Sequence, residues 1–383
     1  MNRLWRRVAA CLPFALFAAL ACRETVSALR RPLPGRQADL HIYVGSVQTV
    51  VDGRPLYDYA AEDGGPFTYP PFALLVLLPV GWPPEQVVRA VWTVATCLAV
   101  ALIAVLLTWR VRSRRLAVTG GAATVLLLAA PSQSNLRLGQ VSVFIVLLVL
   151  ADALEITPPR WRGTLIGLAA AIKLTPLLFV PYLLVTGQYR AALRAGCVFA
   201  AAAALALVAL PGDSMRFWTD AVFTTSRIGD LAFDGNQSVQ GVLLRYGSLD
   251  PELSSAWLLY VAVSTVGALL WARELRAEGR VTEAVVVVGC ATIAASPVSW
   301  THHQFWTVLA GLVLVSRGGP ARRFAGVVVL VAMAFPLGAP GAAGFLADNA
   351  RALCAAVICW AGWWAITQSG QREDRAGYGY DHA

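Results

Sequence analysis

Apolar runs about as long as a bilayer is thick recur along this chain, and they constrain its fold more than any other feature. Charge is nearly absent from residues 86–109, 116–131, 140–154 and 195–211. A soluble helical domain would interrupt such runs with charged residues, whereas helices in lipid face hydrocarbon. With 57% hydrophobic and 14% charged residues, the chain has too little polar surface to cover a soluble domain. The sequence therefore predicts an all-α, polytopic transmembrane helical bundle.

About ten segments have the composition of spanning helices. We predict them at residues 8–28, 86–109, 116–131, 140–156, 195–211, 257–272, 283–298, 304–316, 325–339 and 352–368. They form a single transmembrane domain over residues 1–368, followed by a polar tail at 369–383 that we expect to be disordered and cytoplasmic. The first segment also resembles a secretory signal ending near Cys22, but the many later helices favour a retained first helix.

Arginine placement predicts the orientation, because cytoplasmic loops carry an excess of positive charge. The clusters assigned to the cytoplasm, together with the N-terminus, are at residues 3–7, 110–115, 160–162, 273–280 and 317–323. If residues 163–186 crossed the membrane once, every later arginine cluster would lie on the extracytoplasmic side. We interpret them as a hairpin of two short helices, 163–172 and 175–186, that turns inside the membrane at Lys173. Four polar segments then face the extracytoplasmic side: 29–71, 132–140, 212–256 and 296–303.

The polar loop after the first helix carries the densest set of acidic, aromatic and turn residues. Its motifs are Asp39-Leu40-His41-Ile42-Tyr43, Asp52-Gly53-Arg54-Pro55-Leu56-Tyr57 and Phe67-Thr68-Tyr69-Pro70-Pro71-Phe72. Aromatic faces such as those of Tyr43, Tyr69 and Trp300 suit the C–H face of a sugar ring. This loop is our first candidate for a site of chemistry.

Lys173 is the only lysine among 31 basic residues, and it lies in an apolar segment. A charge at such a position is costly unless it meets an anion. One interpretation is a buried ion pair or a side chain that reaches the headgroup layer. The predicted turn on the active side favours binding of a lipid phosphate instead.

Histidines and amides supply further polar candidates on the extracytoplasmic side. His302 and His303 are adjacent, so their side chains diverge, and hydrogen bonding to phosphate or sugar is favoured over metal binding or plain packing. Asn236 and Gln237 suit sugar hydroxyls, because an amide both donates and accepts, although a loop-capping turn explains them equally well.

Other classes of function find little support in the sequence. The net charge of +9 comes mostly from loop arginines and suits anionic lipid headgroups, so no nucleic-acid partner is predicted. The seven cysteines show no metal-ligand spacing. No glycine-rich phosphate loop follows a strand, and no stretch is long enough for a soluble nucleotide-binding domain. We therefore predict no metal and no other cofactor.

Taken in order, the motifs resemble those of the polyprenyl-phosphate-mannose-dependent α-1,2-mannosyltransferases, a glycosyltransferase C family typical of the actinobacterial cell envelope. The resemblance covers most of the chain and adds four motifs to those of the first loop: Gly139-Gln140-Val141-Ser142, Lys173-Leu174-Thr175-Pro176, Gly235-Asn236-Gln237-Ser238 and Ser296-Pro297-Val298-Ser299-Trp300-Thr301-His302-His303. It implies a multi-pass plasma-membrane enzyme whose active-site loop follows the first helix. It also implies a polyprenyl-phosphate-sugar donor and a glycolipid or glycan acceptor.

The resemblance further implies an acidic residue early in the first outer loop as catalytic base, which matches Asp39. The rival carboxylates are Asp52, Asp58 and Asp63, for which turn and solvation roles suffice. Transfer with inversion needs one base, while the departing phosphate needs cations and hydrogen-bond donors. The candidates for that second role are Lys173, His302, His303 and Arg137.

Three alternatives stay open from the sequence. The same carrier could deliver arabinose or another sugar. A polyisoprenoid-lipid transporter would also need intramembrane cations, although such folds usually show paired broken helices and only one broken pair is evident here. The third alternative is an assembly partner without catalysis.

Overall fold

The computed structural model describes residues 3–30, 37–61, 65–111, 114–246, 255–317, 319–335 and 342–361. Almost all regular structure in these ranges is helical. The exception is one short antiparallel pair, β1 (Ala60–Ala61) and β2 (Gly65–Pro66). Asp63 and the predicted tail at 369–383 lie outside the described residues.

The first half of the bundle combines long helices with short ones. Its helices are α1 (Arg3–Arg30), α2 (Ala38–Val51), α3 (Pro71–Leu77), α4 (Glu85–Thr108), α5 (Arg115–Leu128), α6 (Ala130–Leu138) and α7 (Ser142–Ala153). α1 packs against α4 and α5. The two helices α1 and α5 come close at Gly120, where a Cβ atom would lie 2.8 Å from the backbone nitrogen of Phe14. Small residues thus let these two apolar helices come together closely.

The second half contains the hairpin and the C-terminal helices. Its helices are α8 (Thr164–Ile172), α9 (Phe179–Val185), α10 (Tyr189–Ala209), α11 (Pro211–Arg216), α12 (Val239–Tyr246), α13 (Ser255–Ala277), α14 (Val281–Ala294), α15 (Phe305–Arg317), α16 (Pro320–Ala334), α17 (Ala342–Asp348) and α18 (Ala350–Ala361). α14 is buried over most of its length, because α13 and α15 pack on it.

The predicted helical membrane bundle is confirmed. Among the described residues, four helices are long and apolar enough to cross a membrane: residues 10–30 of α1, α4, α10 and α13. The bent pair α5 and α6 makes a fifth if it is one span. The remaining apolar stretches, including α7, α14, α15 and α18, have 10–17 residues each.

Two short helices lie where the sequence predicted polar loops. α2 runs through the first outer loop, and its residues Leu40, Tyr43 and Val47 are buried at helical spacing. α6 occupies the region after α5, at a bend of 61°. Pro131 has no N–H to donate to the Leu127 carbonyl, so the Gln133 side chain donates to it instead, at 2.7 Å.

The hairpin predicted at 163–186 is present. Lys173 ends α8 with extended backbone, and a 3₁₀ turn at Thr175–Leu178 leads into α9. α8 and α10 run side by side in the same direction, because Gly163 meets the backbone of Ala191 and Gly167 meets that of Ala195. The chain therefore runs into the bundle along α8 and returns along α9 to the end at which α8 began.

The arginine clusters and the polar segments lie at opposite ends of several helices. α7 begins at Ser142 and ends near Glu155, which pairs with Arg162 at 3.2 Å and with Arg276. α15 begins after His303 and ends at Arg317, which pairs with Glu283 at 2.7 Å. The bundle thus has one end rich in ion-paired arginines and another where the candidate site residues gather.

Candidate active site

A cavity of about 720 Å³ lies at the end of the bundle opposite the arginine clusters. α2, α6, the end of α8 and the loops at 65–70, 217–235 and 296–303 surround it. Polar side chains form part of its wall: Asp39, Arg137, Gln140, Lys173, His302 and His303. Apolar side chains form another part, and Ile228 and Phe233 among them are exposed. The cavity therefore joins a polar region to an apolar opening.

Hydrogen bonds of Gln37 hold the N-terminus of α2, the turn that carries Asp39, in place. Gln37 precedes the helix in the left-handed conformation, with φ of 61°. Its backbone N–H donates to the Arg137 carbonyl at 2.6 Å, and its side-chain amide donates to Thr93 at 2.9 Å. Arg89 donates to the amide oxygen of Gln37 at 3.1 Å. These bonds tie α2 to α4 and α6, so the first turn of α2 has little freedom.

Asp39 is held by one amide and keeps one oxygen free. The Gln140 Nε2 donates to Asp39 Oδ2 at 2.5 Å, and the Gln140 Oε1 accepts from the Tyr69 hydroxyl at 2.8 Å. Tyr43 completes the group with its hydroxyl 3.2 Å from that of Tyr69. Oδ1 of Asp39 has no hydrogen-bond partner among the described residues. A substrate hydroxyl in the cavity can therefore donate to that oxygen.

The environment of Asp39 raises the pKa of its carboxyl above the ordinary value. Burial is the largest cause, because it disfavours the charged form. The hydrogen bond from Gln140 and the positive charges of Lys173 and Arg137 act in the opposite direction. A carboxylate with a raised pKa accepts a proton more readily than an exposed aspartate does, which suits a general base.

Lys173 meets His303 across the cavity wall. The Lys173 Nζ donates to Ser142 Oγ at 3.2 Å and lies 2.9 Å from His303 Nε2. Burial lowers the pKa of His303, and the charges of Lys173 and His302 lower it further, so the ring is neutral near pH 7. The backbone N–H of Trp300 donates to His303 Nδ1 at 3.2 Å, so N–H donors approach both ring nitrogens, and the direction of the bond between Lys173 and His303 depends on the tautomer of the ring. A lysine ammonium has three N–H donors, so one donor and the positive charge of Lys173 are left for an anion in the cavity.

His302 offers unused hydrogen-bonding capacity beside this pair. Its ring is buried and lies 4.3 Å from that of His303, centroid to centroid. Neither ring nitrogen has a hydrogen-bond partner among the described residues, although both are buried. Asn135 donates to the His302 carbonyl at 3.1 Å and so fixes its backbone. Buried polar atoms without partners mark a place for a ligand or water.

Arg137 lies on the exposed side of α6 and lines the same cavity. Its guanidinium has no hydrogen-bond or ion-pair partner in the described part of the chain. The structure therefore brings together Asp39, Tyr69, Arg137, Lys173, His302 and His303 among the residues predicted from the sequence.

The other two predicted binding residues lie behind the cavity wall. Asn236 is fully buried, and its amide donates to the carbonyls of Leu231 at 2.9 Å and Pro297 at 3.2 Å. Gln237 donates to the Asp348 carbonyl at 2.8 Å. Both side chains stabilise the loops that shape the cavity and do not line it.

The rival carboxylates are occupied elsewhere. Asp52 is exposed and pairs with Arg54 at 3.2 Å. Asp58 pairs with Arg216. Asp39 is the only carboxylate among the described residues that line the cavity. Within those residues, no three His, Cys, Asp or Glu side chains group as a metal site would require.

Gln140, Ser142 and Arg227 were not singled out from the sequence as residues of the site. Gln140 and Ser142 belong to the Gly139–Ser142 motif, yet only the fold shows that they hold Asp39 and Lys173. Arg227 also lines the cavity, and it donates to the Tyr57 carbonyl at 3.0 Å. Nothing in the sequence around Arg227 indicates this position.

Known proteins resemble this chain over most of its length. The sequence profile of glycosyltransferase family 87 matches residues 67–297. A polyprenol-phosphate-mannose-dependent alpha-(1-2)-phosphatidylinositol mannoside mannosyltransferase of Mycobacterium tuberculosis (strain ATCC 25618 / H37Rv) is 35% identical, over 85% of this chain and 80% of its own. The protein of the same description from Mycolicibacterium smegmatis is 33% identical, over 70% and 67%. No solved structure matches the chain.

A third relative differs in the description of its acceptor. It is a polyprenol-phosphate-mannose-dependent alpha-(1-2)-phosphatidylinositol pentamannoside mannosyltransferase of Mycobacterium tuberculosis (strain CDC 1551 / Oshkosh). It is 32% identical over 76% of this chain and 69% of its own length.

Proposed function

Because this chain belongs to glycosyltransferase family 87, we propose that it transfers mannose from polyprenyl phosphate mannose to a lipid-linked or polysaccharide acceptor through an α-1,2 linkage. The descriptions of the relatives support this donor and linkage, and a phosphatidylinositol mannoside as acceptor. The observation that carries the proposal is one cavity that combines a carboxylate with a free oxygen and a lysine, held by Ser142 and His303, whose charge suits an anion.

The reaction follows from these groups. The acceptor hydroxyl donates to Asp39 Oδ1, and its oxygen attacks the anomeric carbon while Asp39 takes the proton. The bond between that carbon and the phosphate oxygen breaks, with inversion of a β-linked donor to an α-linked product. The departing phosphate gains negative charge, which the positive charge of Lys173, held by Ser142 and His303, stabilises more in the transition state than in the bound donor. His302 supplies a further donor at the same wall.

The apolar opening suits the lipid part of the donor. Phe217, Val222, Ile228 and Phe233 line this side of the cavity. A polyprenyl chain lying there would remain in contact with the bilayer while its phosphate reaches Lys173. Tyr69, whose ring lies 5.3 Å from the Lys173 Nζ, offers a face to the sugar.

We also propose that the protein is a multi-pass protein of the plasma membrane, with the N-terminus in the cytoplasm and the active site outside. The support is the separation of the ion-paired arginines, at one end of α7 and α15, from the cavity at the other end. Arginine-rich ends face the cytoplasm in most membrane proteins.

The first experiment replaces the proposed base. Membranes with equal amounts of wild-type protein or Asp39→Asn receive labelled polyprenyl phosphate mannose and a phosphatidylinositol mannoside, with a chelator present. We expect wild-type transfer to persist with the chelator and the variant to lose activity about a hundredfold or more, because it cannot accept the proton. Donor binding should change little.

Asp52→Asn is the matched control, since Asp52 caps the opposite end of α2 and lies outside the cavity. It should keep its activity. Equal transfer by Asp39→Asn and wild type would remove Asp39 from the catalytic role. Transfer of another lipid-linked sugar but not of mannose would replace the proposed donor.

A further inference from the structure

A second cavity, of about 590 Å³, lies beside the first. Arg23 and Ser27 from the end of α1, Gln133 from α6 and Thr301 from the loop before α15 contribute to its wall. No aromatic and no large aliphatic side chain lines it. Its chemistry thus differs from that of the apolar opening of the first cavity, which other elements form.

The two cavities meet at α6. Ser134, Arg137 and Thr301 line both of them. The Arg137 carbonyl accepts from the backbone N–H of Gln37 at 2.6 Å, two residues before Asp39, so this junction adjoins the first turn of α2. A molecule that fills the second cavity can therefore extend past Arg137 toward the free oxygen of Asp39.

Two guanidinium groups, of Arg23 and Arg137, and one carboxylate, of Glu24, line the second cavity, so its formal charge is positive and suits an anion with neighbouring hydroxyl groups. The Arg137 guanidinium has no partner among the described residues, and Arg23 is 64% exposed beside its partner Glu24, at 2.7 Å. The NH₂ group of Gln133 donates to the Leu127 carbonyl, so the amide oxygen of Gln133 is available to accept from a sugar hydroxyl. Guanidinium groups bind phosphate oxygens in pairs of hydrogen bonds.

The position of Arg23 indicates the source of such an anion. Arg23 lies in the second half of the candidate span at residues 10–30 of α1, about two helical turns before its end. The end of a spanning helix lies at the level of the lipid headgroups, where phosphodiesters are concentrated. A glycolipid acceptor carries both a phosphodiester and sugar hydroxyls, whereas a neutral glycan carries only the latter.

We propose that the second cavity is the acceptor site, in which Arg23 and Arg137 bind the phosphodiester side of an anionic glycolipid while its terminal sugar reaches Asp39. This inference rests on the proposed function, because it requires a transfer reaction in the first cavity. It assigns Arg137 to the acceptor instead of the donor phosphate.

The test uses Arg23→Gln in the full-length chain, reconstituted in vesicles of zwitterionic lipid. Initial rates are measured with polyprenyl phosphate mannose and two acceptors, a phosphatidylinositol mannoside and an uncharged alkyl mannoside. We expect KM for the charged acceptor to rise about tenfold, as loss of one charge-assisted hydrogen bond predicts. KM for the donor and for the uncharged acceptor should stay within about twofold.

Arg54→Gln is the matched control. Arg54 is also 64% exposed and also pairs with a nearby acid, Asp52, but it lines neither cavity. It should leave all three KM values as in the wild type. Thermal melting of both variants checks that they fold.

Three results would overturn the proposal. An unchanged KM for the charged acceptor would show that Arg23 binds no part of it, and an increase confined to the donor would assign the cavity to the donor. Adding an anionic phospholipid to the vesicles could also raise the KM of the wild type for the charged acceptor. If that increase equals the one caused by Arg23→Gln, the cavity binds the headgroups of bulk lipids. Should the wild type transfer no mannose at all, the proposed function fails, and direct binding of the charged acceptor to wild type and Arg23→Gln still tests the cavity.

Discussion

At the scale of single residues, one amide organises the proposed base. Gln140 donates to Asp39 with its nitrogen and accepts from Tyr69 with its oxygen, so the amide can adopt only one orientation. The carboxylate is thereby held with Oδ2 occupied and Oδ1 free. Burial raises the pKa of Asp39, and this hydrogen bond is the largest effect that opposes the rise.

Gln140→Leu should therefore shift the pH dependence of transfer. Without the hydrogen bond the pKa of Asp39 rises further, and the base is protonated at higher pH, so the acid limb of the kcat/KM profile moves up in pH. At neutral pH we expect a loss of roughly ten- to hundredfold, since a charge-assisted bond is removed. Gln48→Leu, on the exposed face of α2, is the control. An acid limb that stays in place would show that Gln140 does not act on Asp39.

Lys173 provides a prediction about the leaving group. The product, a phosphate monoester, carries more negative charge near neutral pH than the phosphodiester donor. Lys173→Gln should therefore weaken binding of polyprenyl phosphate more than binding of polyprenyl phosphate mannose, and kcat should fall about a hundredfold. Competition binding with both lipids measures the difference. Equal weakening of both would mean that Lys173 binds the donor uniformly and contributes nothing specific to the transition state.

At the scale of elements, the turn between α6 and α7 aligns the two halves of the site. Gly139 ends α6 with a φ of 72°, and a Cβ atom there would lie 2.6 Å from that of Leu40, the residue after Asp39. The same turn sends Gln140 to Asp39 and Ser142 to Lys173. The motif that contains Asp39 and the motif that contains Gln140 are about a hundred residues apart in the chain. Their contact thus depends on the close approach of Gly139 to Leu40.

Gly139→Ala tests this turn. The left-handed backbone costs an alanine about 1 kcal/mol, and the collision with Leu40 should displace Gln140 from Asp39. We expect activity to fall much more than stability does. Gly187→Ala is the matched control, because Gly187 has a φ of 74° and nothing within 4 Å of its Cβ position. If both variants lose the same activity, backbone strain and not the contact with Leu40 explains the effect.

At the scale of the whole molecule, the ion-paired arginines and the candidate active site lie at opposite ends of the bundle. The arginines that pair with Glu155 and Glu283 lie at one end, and the cavity lies at the other. The hairpin of α8 and α9 enters from the arginine end and turns at Lys173, which places the lysine at the cavity without a second crossing. Broken helices are tolerated within a membrane protein where their backbone lines a cavity.

The orientation can be measured with two matched cysteine substitutions. Asp52→Cys and Glu278→Cys replace acids that are 61% and 59% exposed, each paired with an arginine. A membrane-impermeant maleimide added to intact cells should label Asp52→Cys above the wild-type background. Glu278→Cys should react only after permeabilisation, since the positive-inside rule places it in the cytoplasm. The reverse pattern would invert the molecule and place the cavity inside.

Much of this arrangement follows from properties that can be read along the chain. Apolar run length identified the helical membrane bundle, the arginine pattern predicted the hairpin, and the lone lysine within it predicted a polar site. Asp39 was selected by a family resemblance over three rival aspartates, and its role as base stays a prediction.

Other features depend on tertiary contacts. Gln140 and Asp39 are 101 positions apart, and Lys173 and His303 are 130 apart, so their pairing depends on how distant helices pack. Asn236 and Gln237 have the composition of a sugar site, yet packing turns their amides toward backbone groups behind the wall. The second cavity exists only because the end of α1 lies beside α6. Hydrophobicity and charge act on each segment locally and thus decide class and orientation, whereas the neighbours of a side chain are decided by the packing of the whole bundle.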